Sequence, residues 1–122
     1  MSARILLVDD EEVVIKSYRR ILEEQKYQID AQMDGGSALR AIGESPYDLI
    51  IVDLMMPKMN GMEVLRRVKE THPEIKVIMV TGMAQEETQE QAMSLGAFHY
   101  LPKPFDPDLF SQLVQRALTN TN

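Results

Sequence analysis

The sequence predicts an α/β fold in which five parallel strands form one sheet with helices on both faces. Short apolar runs alternate along the chain with segments whose apolar residues recur at helical spacing, a pattern typical of repeated βα units. The central runs are apolar throughout, which indicates strands buried on both faces. With 122 residues, 44% of them hydrophobic, the chain is expected to form a single domain over residues 1–122.

The first three elements are a buried strand, a helix and a more polar strand. Residues 4–8 form an apolar run that ends at acidic residues. Apolar side chains then recur at helical spacing from Glu11 to about Lys26, with charged residues between them. Residues 27–33 are more polar, which favours a place at the edge of the sheet.

A short helix and the central strand come next. Asp34-Gly35-Gly36 is predicted to be a turn that leads into a short helix through Ala38, Leu39 and Ile42, and residues 43–47 are expected to form a loop. The run Leu-Ile-Ile-Val from Leu49 then predicts a fully buried strand. This strand delivers one carboxylate, Asp53, at its carboxyl end.

Turn residues separate this strand from the third helix. Residues 54–61 include Pro57 and Asn60-Gly61, which favour a loop over the strand end. Apolar residues at helical spacing from Met62 predict the third helix, which should end near Thr71 because the next residue precedes a proline. Residues 76–80 are a further buried strand.

The last three elements are a polar helix, a strand and an amphipathic helix. The fourth helix is predicted over about residues 85–95, with Gly96 as its cap, and the last strand over residues 98–101. Asp106 as N-cap and Pro107 in the first turn begin the fifth helix, which carries an apolar stripe.

The connections predict which side chains meet. Right-handed crossovers and a polar second strand at one edge favour the strand order 2-1-3-4-5, a flavodoxin-like doubly wound (βα)5 fold. Ligands in such sheets bind beyond the carboxyl ends of the strands, where strands one and three are neighbours. Asp9, Asp10 and Asp53 would meet there, with Thr81 on the next strand and Lys103 beyond the fifth.

Three neighbouring carboxylates repel one another, and a divalent cation would relieve the repulsion. Oxygen ligands without cysteine or histidine suit Mg²⁺, for which Mn²⁺ can substitute. With a lysine and a hydroxyl nearby, such a cluster suits phosphoryl transfer to a carboxylate nucleophile, Asp53.

Charge and composition exclude other classes of function. A net charge of -6 and a pI near 4.9 argue against direct binding of nucleic acid, because phosphate recognition needs a clustered positive face. No apolar run approaches the roughly 18 residues of a membrane span, and no signal peptide is visible. The absence of cysteine is compatible with a reducing cytosol, and we expect a cytoplasmic location.

At these residues the chain resembles the receiver domain of two-component response regulators. The resemblance extends from about Arg4 to Leu118 and rests on four motifs in the expected order. They are Ile5-Leu6-Leu7-Val8-Asp9-Asp10-Glu11, Asp53-Leu54-Met55-Met56-Pro57 with Met59-Asn60-Gly61, Val80-Thr81-Gly82, and Gly96-Ala97 leading to Tyr100-Leu101-Pro102-Lys103-Pro104-Phe105.

The resemblance implies a role for each residue of the acidic site. It implies that a partner histidine kinase phosphorylates Asp53, the domain catalysing only its own phosphorylation and dephosphorylation. It also implies that Asp10, Asp53 and the main-chain carbonyl of Met55 ligate Mg²⁺, with Asp9 contacting the metal through water. Lys103 would contact the phosphoryl group.

A second set of implied roles concerns switching. Thr81 and Tyr100 would form the switch, Tyr100 moving inward after phosphorylation, and the Lys103-Pro104 bond would be cis. Helix four, strand five and helix five would then present the changed surface to a downstream effector domain or protein, and the resemblance allows a phosphorylation-dependent homodimer. The position two residues after Asp53 is Met55, and the position two residues after Thr81 is Met83. Both are apolar here, which leaves the phosphoryl lifetime open.

Two rival functions remain at this stage. An aspartate-nucleophile phosphohydrolase of the haloacid dehalogenase type needs a second carboxylate two residues after the nucleophile, where this chain has Met55. An unphosphorylated receiver-like interaction module would be expected to have lost an acidic residue, the threonine or the lysine, and all of them are present.

Overall fold

The computed structural model describes residues 2–119 and contains the predicted parallel sheet, with strand order β2-β1-β3-β4-β5. The strands pair in parallel throughout, so their carboxyl ends share one edge. The elements in chain order are β1 Arg4–Val8, α1 Glu12–Leu22, β2 Gln28–Gln32, α2 Gly35–Glu44, β3 Leu49–Asp53, α3 Gly61–Thr71, β4 Lys76–Thr81, α4 Glu86–Ser94, β5 His99–Pro102 and α5 Pro107–Thr119.

The sheet separates two apolar cores. Side chains of α1 and α5 cover one face, and those of α2, α3 and α4 cover the other. Along the central strand every residue from Leu49 to Asp53 is buried, which confirms the reading of that apolar run as a strand covered on both faces. Within residues 2–119 no helix combines the length and apolar character needed to cross a membrane.

The second helix begins and ends differently from the prediction. The turn predicted at Asp34-Gly35-Gly36 is wrong after its first residue, because α2 already starts at Gly35. Asp34 caps the helix, its Oδ1 accepting a hydrogen bond of 2.8 Å from the Ser37 amide. The predicted loop at 43–47 is also shorter, since α2 continues to Glu44.

Two other helix ends follow local capping. The helix expected over residues 11–26 ends at Leu22 and continues as a 3₁₀ turn over Glu23–Gln25, after which Lys26 adopts a left-handed conformation with φ 61°. The third helix ends at Thr71, as predicted from the proline that follows. Its first turn is capped by Asn60, whose Oδ1 accepts from the Glu63 amide at 3.1 Å.

Candidate functional site

The three carboxylates predicted to converge do so at the carboxyl ends of β1 and β3. One oxygen from each of Asp9, Asp10 and Asp53 lies within 4.8 Å of the others. Asp9 is 0% and Asp53 5% exposed, and Asp10 is more exposed than either. Because β1 and β3 are hydrogen-bonded neighbours, the cluster follows directly from the strand order.

The main chain orients both buried carboxylates. Asp9 Oδ1 accepts a hydrogen bond of 2.9 Å from the Glu11 amide, and Asp53 Oδ1 accepts one of 3.0 Å from the Met55 amide. The two Oδ2 atoms face the Lys103 ammonium, which lies 3.6 Å from that of Asp9 and 3.4 Å from that of Asp53. Each carboxylate therefore has one oxygen fixed by backbone and one directed at the cation.

Lys103 and Thr81 reach the site through the adjacent strand ends. The Lys103 amide donates a hydrogen bond of 2.7 Å to the carbonyl of Thr81, which ties the segment after β5 to the end of β4. The Lys103-Pro104 bond is cis, as the resemblance implied. The Thr81 side chain is fully buried, and its Oγ1 accepts a hydrogen bond of 3.0 Å from the Met83 amide.

The cluster carries an unfavourable negative charge. Burial, together with the charges of Asp53 and Asp10, raises the pKa of Asp9 from 3.8 to about 6. The Glu11 amide and the Lys103 ammonium act in the opposite direction without cancelling the rise. One ammonium therefore does not neutralise the site.

The donor set fits a hard divalent cation. Among residues 2–119 nothing offers a hydrogen bond to Asp9 Oδ2, although the atom is completely buried. The cluster consists of carboxylate oxygens, with neither cysteine nor histidine in it. Such ligands suit Mg²⁺ or Mn²⁺, which would relieve the repulsion and give the buried oxygen a partner.

Replacing Asp9 by Asn is expected to stabilise the metal-free protein at neutral pH. The folded-state pKa lies above the unfolded value, so the folded protein binds more protons between about pH 4 and 6, and wild-type stability falls as pH rises through that window. The amide removes this loss, raising the free energy of unfolding by about 1–3 kcal/mol at pH 7.5 and by much less near pH 4. Urea denaturation in EDTA at both pH values measures this change in the free energy of unfolding. Glu12→Gln, at an exposed position, is the control, and equal gains at both pH values would contradict the prediction.

Tyr100 is already buried. Its side chain is 4% exposed, and its hydroxyl lies 2.6 Å from Oγ1 of Thr88 on α4 and accepts a bond of 3.4 Å from the Gln85 amide. The ring thus lies inside in this structure, next to Thr88 and Gln85, and the inward movement of Tyr100 after phosphorylation stays a prediction. Sequence reasoning missed Thr88, since a single threonine on a polar helix gives no signal.

Comparisons with known proteins agree with this geometry. Residues 5–115 match the family model described as the response regulator receiver domain. The transcriptional regulatory protein DltR of Streptococcus agalactiae is 35% identical over 105 residues, covering 86% of this chain and 47% of that protein. Regulatory protein VanRB of Enterococcus faecalis is 36% identical over 118 residues, covering 97% of this chain and 53% of that protein. The chain thus spans about half the length of these curated relatives.

The similarity extends to solved structures. The BeF3-activated receiver domain of DrrB, a protein of Thermotoga maritima, superposes with a TM-score of 0.90 at 30% sequence identity. That alignment covers 98% of this chain and 100% of the DrrB chain. The acidic site lies within residues 5–115, which the family model matches, with Asp9, Asp10, Asp53, Thr81 and Lys103 all inside that range.

Proposed function

The chain belongs to the response regulator receiver domain family, and on this premise we propose that it accepts a phosphoryl group on Asp53. The donor is a phosphohistidine of a partner histidine kinase, and the reaction depends on Mg²⁺. The observation that carries the proposal is the placement of the Lys103 ammonium, 3.4 Å from Asp53 and 3.6 Å from Asp9. A buried carboxylate beside a fixed cation is a preorganised phosphoryl acceptor.

In the proposed transfer, an oxygen of Asp53 attacks the phosphorus atom, and an O–P bond forms as the N–P bond of the phosphohistidine breaks. The histidine nitrogen keeps the electron pair of the broken bond and takes up a proton. Lys103 neutralises charge on the transferring group, and the Met55 amide keeps the carboxylate oriented. Mg²⁺ bound by Asp10, Asp53 and the main-chain carbonyl of Met55, with Asp9 in its outer sphere, would supply further positive charge beside the phosphoryl oxygens.

Phosphorylation is proposed to act on partners through Thr81 and Tyr100. The phosphoryl group carries nearly two negative charges and three acceptor oxygens, a net gain of about one charge because the Asp53 carboxylate loses its own. These oxygens favour a hydrogen bond from the Thr81 hydroxyl. The hydroxyl now accepts from the Met83 amide, in the loop that leads to Gln85. The Gln85 amide in turn donates to the Tyr100 hydroxyl, so movement of the Thr81 hydroxyl would shift the start of α4. Coupling of this kind is typically about 1–3 kcal/mol, and the readout surface is the face formed by α4, β5 and α5.

Thr81→Ala is expected to accept the phosphoryl group but to lose most of the accompanying change in α4. The Asp53 and Lys103 contacts do not involve the Thr81 side chain, whereas the link from the site to Met83 does. Amide NMR spectra before and after phosphorylation measure the response of residues 82–90. Thr81→Ser retains the hydroxyl and should respond as the wild type does. An undiminished response in Thr81→Ala would remove this residue from the switch.

Partners follow from the same proposal. A sensor histidine kinase would donate the phosphoryl group, and an effector domain or protein would read the α4, β5 and α5 face, with a phosphorylation-dependent homodimer as a further state. The acidic charge of -6 argues against direct nucleic-acid binding by this domain, and a cytoplasmic site of action is proposed. The proposed extent, residues 1–122, includes Met1 and residues 120–122, which lie outside the described residues.

Acetyl phosphate tests the proposal against its rivals. With Mg²⁺, the intact protein should gain the mass of one phosphoryl group as an acid-stable, base-labile acyl phosphate, and EDTA should prevent the gain. An interaction module would gain no mass. A phosphohydrolase would turn over unrelated phosphate esters at many equivalents per protein, which would overturn the proposal.

A further inference from the structure

The hydroxyl of Tyr18, on α1, is buried without a hydrogen-bond partner. The residue is 4% exposed, and the hydroxyl finds no donor or acceptor in the part of the chain that the structure describes. A buried hydroxyl without a partner destabilises a folded protein, and a phenylalanine would fill the same space without that cost. The chain therefore carries, in this state, a polar group that its packing does not use.

Tyr18 lies beside Lys103, whose ammonium contacts the acidic site: the two residues line one surface cavity, and Lys103 pairs with Asp9 and Asp53. Burial raises the pKa of Tyr18, and the charges of Asp9, Asp53 and Glu11 raise it further, so the hydroxyl stays protonated as a donor. Asp9 Oδ2 is likewise buried without a hydrogen bond among the described residues. The Tyr18 hydroxyl is thus an unused donor, and Asp9 Oδ2 is an acceptor whose charge is met by the Lys103 ammonium at 3.6 Å.

The ring of Tyr18 packs beneath the segment that carries Lys103. Its centroid lies 5.0 Å from that of Phe110 and 5.9 Å from that of Phe105, and the two phenylalanine rings are themselves stacked at 5.0 Å. Tyr18 and Lys103 also line one surface cavity of about 320 Å³, with Val14, Ile21 and Phe105. The Tyr18 ring is therefore packed against Phe105, in the segment that follows Lys103.

We propose that Tyr18 is a positioning residue for phosphoryl transfer, its ring packing against the segment from Lys103 to Phe105 and its hydroxyl donating a hydrogen bond to the pocket oxygens as the phosphoryl group is transferred to Asp53. In the unmodified protein the Lys103 ammonium lies between Asp53 and Asp9. Added charge on Asp53 draws the ammonium toward the phosphoryl group, and the Tyr18 hydroxyl then supplies the donor that the pocket oxygens need. The inference deepens the proposed function and rests on it.

Tyr18→Phe tests the hydroxyl and leaves the ring in place. The unmodified variant is expected to be at least as stable as the wild type, because the unpartnered group is gone. Phosphoryl uptake from acetyl phosphate should slow by about 3- to 10-fold, because the variant lacks one hydrogen bond that forms in the transition state as charge shifts toward Asp53. The rise in melting temperature caused by beryllofluoride with Mg²⁺ should be smaller than in the wild type.

Tyr47→Phe is the matched control. Its hydroxyl lies outside the site and donates a 2.7 Å bond to Asp30. That variant should lose the same stability with and without beryllofluoride and should take up the phosphoryl group at the wild-type rate. In a Lys103→Met background, Tyr18→Phe should leave the residual uptake rate unchanged, because the hydroxyl acts together with the ammonium.

The outcomes separate the two proposals. A wild-type protein that takes up no phosphoryl group contradicts the proposed function itself. If the wild type is phosphorylated, and Tyr18→Phe matches it in uptake rate and in the response to beryllofluoride, the role of Tyr18 is overturned. A full additional loss in the Lys103→Met background would also overturn it, since Tyr18 would then act independently of the ammonium.

Discussion

Asp53→Asn will abolish phosphoryl uptake from acetyl phosphate, lowering the labelled fraction below detection under conditions that label the wild type fully. The amide has nearly the same shape as the carboxylate but lacks the negative oxygen that attacks phosphorus. Asp53 is 5% exposed, and its Oδ2 lies 3.4 Å from Lys103. The loss should therefore reflect chemistry and not unfolding, which circular dichroism of the variant checks. Intact mass with Mg²⁺, with and without acetyl phosphate, is the measurement.

The matched control lies near the other end of the same strand. Asp48, an exposed residue just before β3, accepts a hydrogen bond from the Arg4 amide at 2.9 Å. Asp48→Asn should take up the phosphoryl group as the wild type does. A base-labile label that persists in Asp53→Asn would place the acceptor elsewhere, and peptide mapping would then decide between Asp9 and Asp10.

The convergence of the acidic residues could be predicted because it depends only on where the strands end and on the order of the strands in the sheet. Each apolar run fixes a strand, β1 and β3 end at carboxylates, and the parallel order brings those ends to one edge. Small errors at element boundaries do not change this, because Asp9 and Asp53 are defined by the end of an apolar run. The same holds for Lys103, which the chain delivers just past β5.

Side-chain partners could not be predicted in this way. Helical spacing places Tyr18 on the buried face of α1, but it does not show that the hydroxyl lacks a partner. The inward position of Tyr100 depends on Thr88, a contact between β5 and α4 that no local pattern encodes. The need for glycine at position 35 depends on tertiary packing, since an added Cβ there would lie 2.9 Å from both Met59 Sδ and Val64 Cγ2.

Gly61→Ala is expected to destabilise the domain strongly and to disturb the acidic site as well. A Cβ at this position would collide with the carbonyl oxygen of Asp53 and lie 2.8 Å from the Cα of Leu54, and backbone atoms cannot move aside as a flexible side chain can. The Gly61 amide also donates to the Leu54 carbonyl at 2.9 Å, which holds the two segments together. We expect a loss of about 2–5 kcal/mol in the free energy of unfolding.

Gly43→Ala is the matched comparison, because the position of a glycine determines whether alanine raises or lowers the free energy of unfolding. Gly43 is also helical, in α2, but a Cβ there meets no atom of the described chain within 4 Å. Alanine should therefore stabilise the protein by about 0.5–1 kcal/mol through helix propensity alone. Urea denaturation of both variants gives the comparison, and phosphoryl uptake should fall only in Gly61→Ala, because the collision displaces the main chain of Asp53. Equal stability of the two variants would show that the end of β3 can yield, and the close approach of Gly61 would then not be what fixes Asp53.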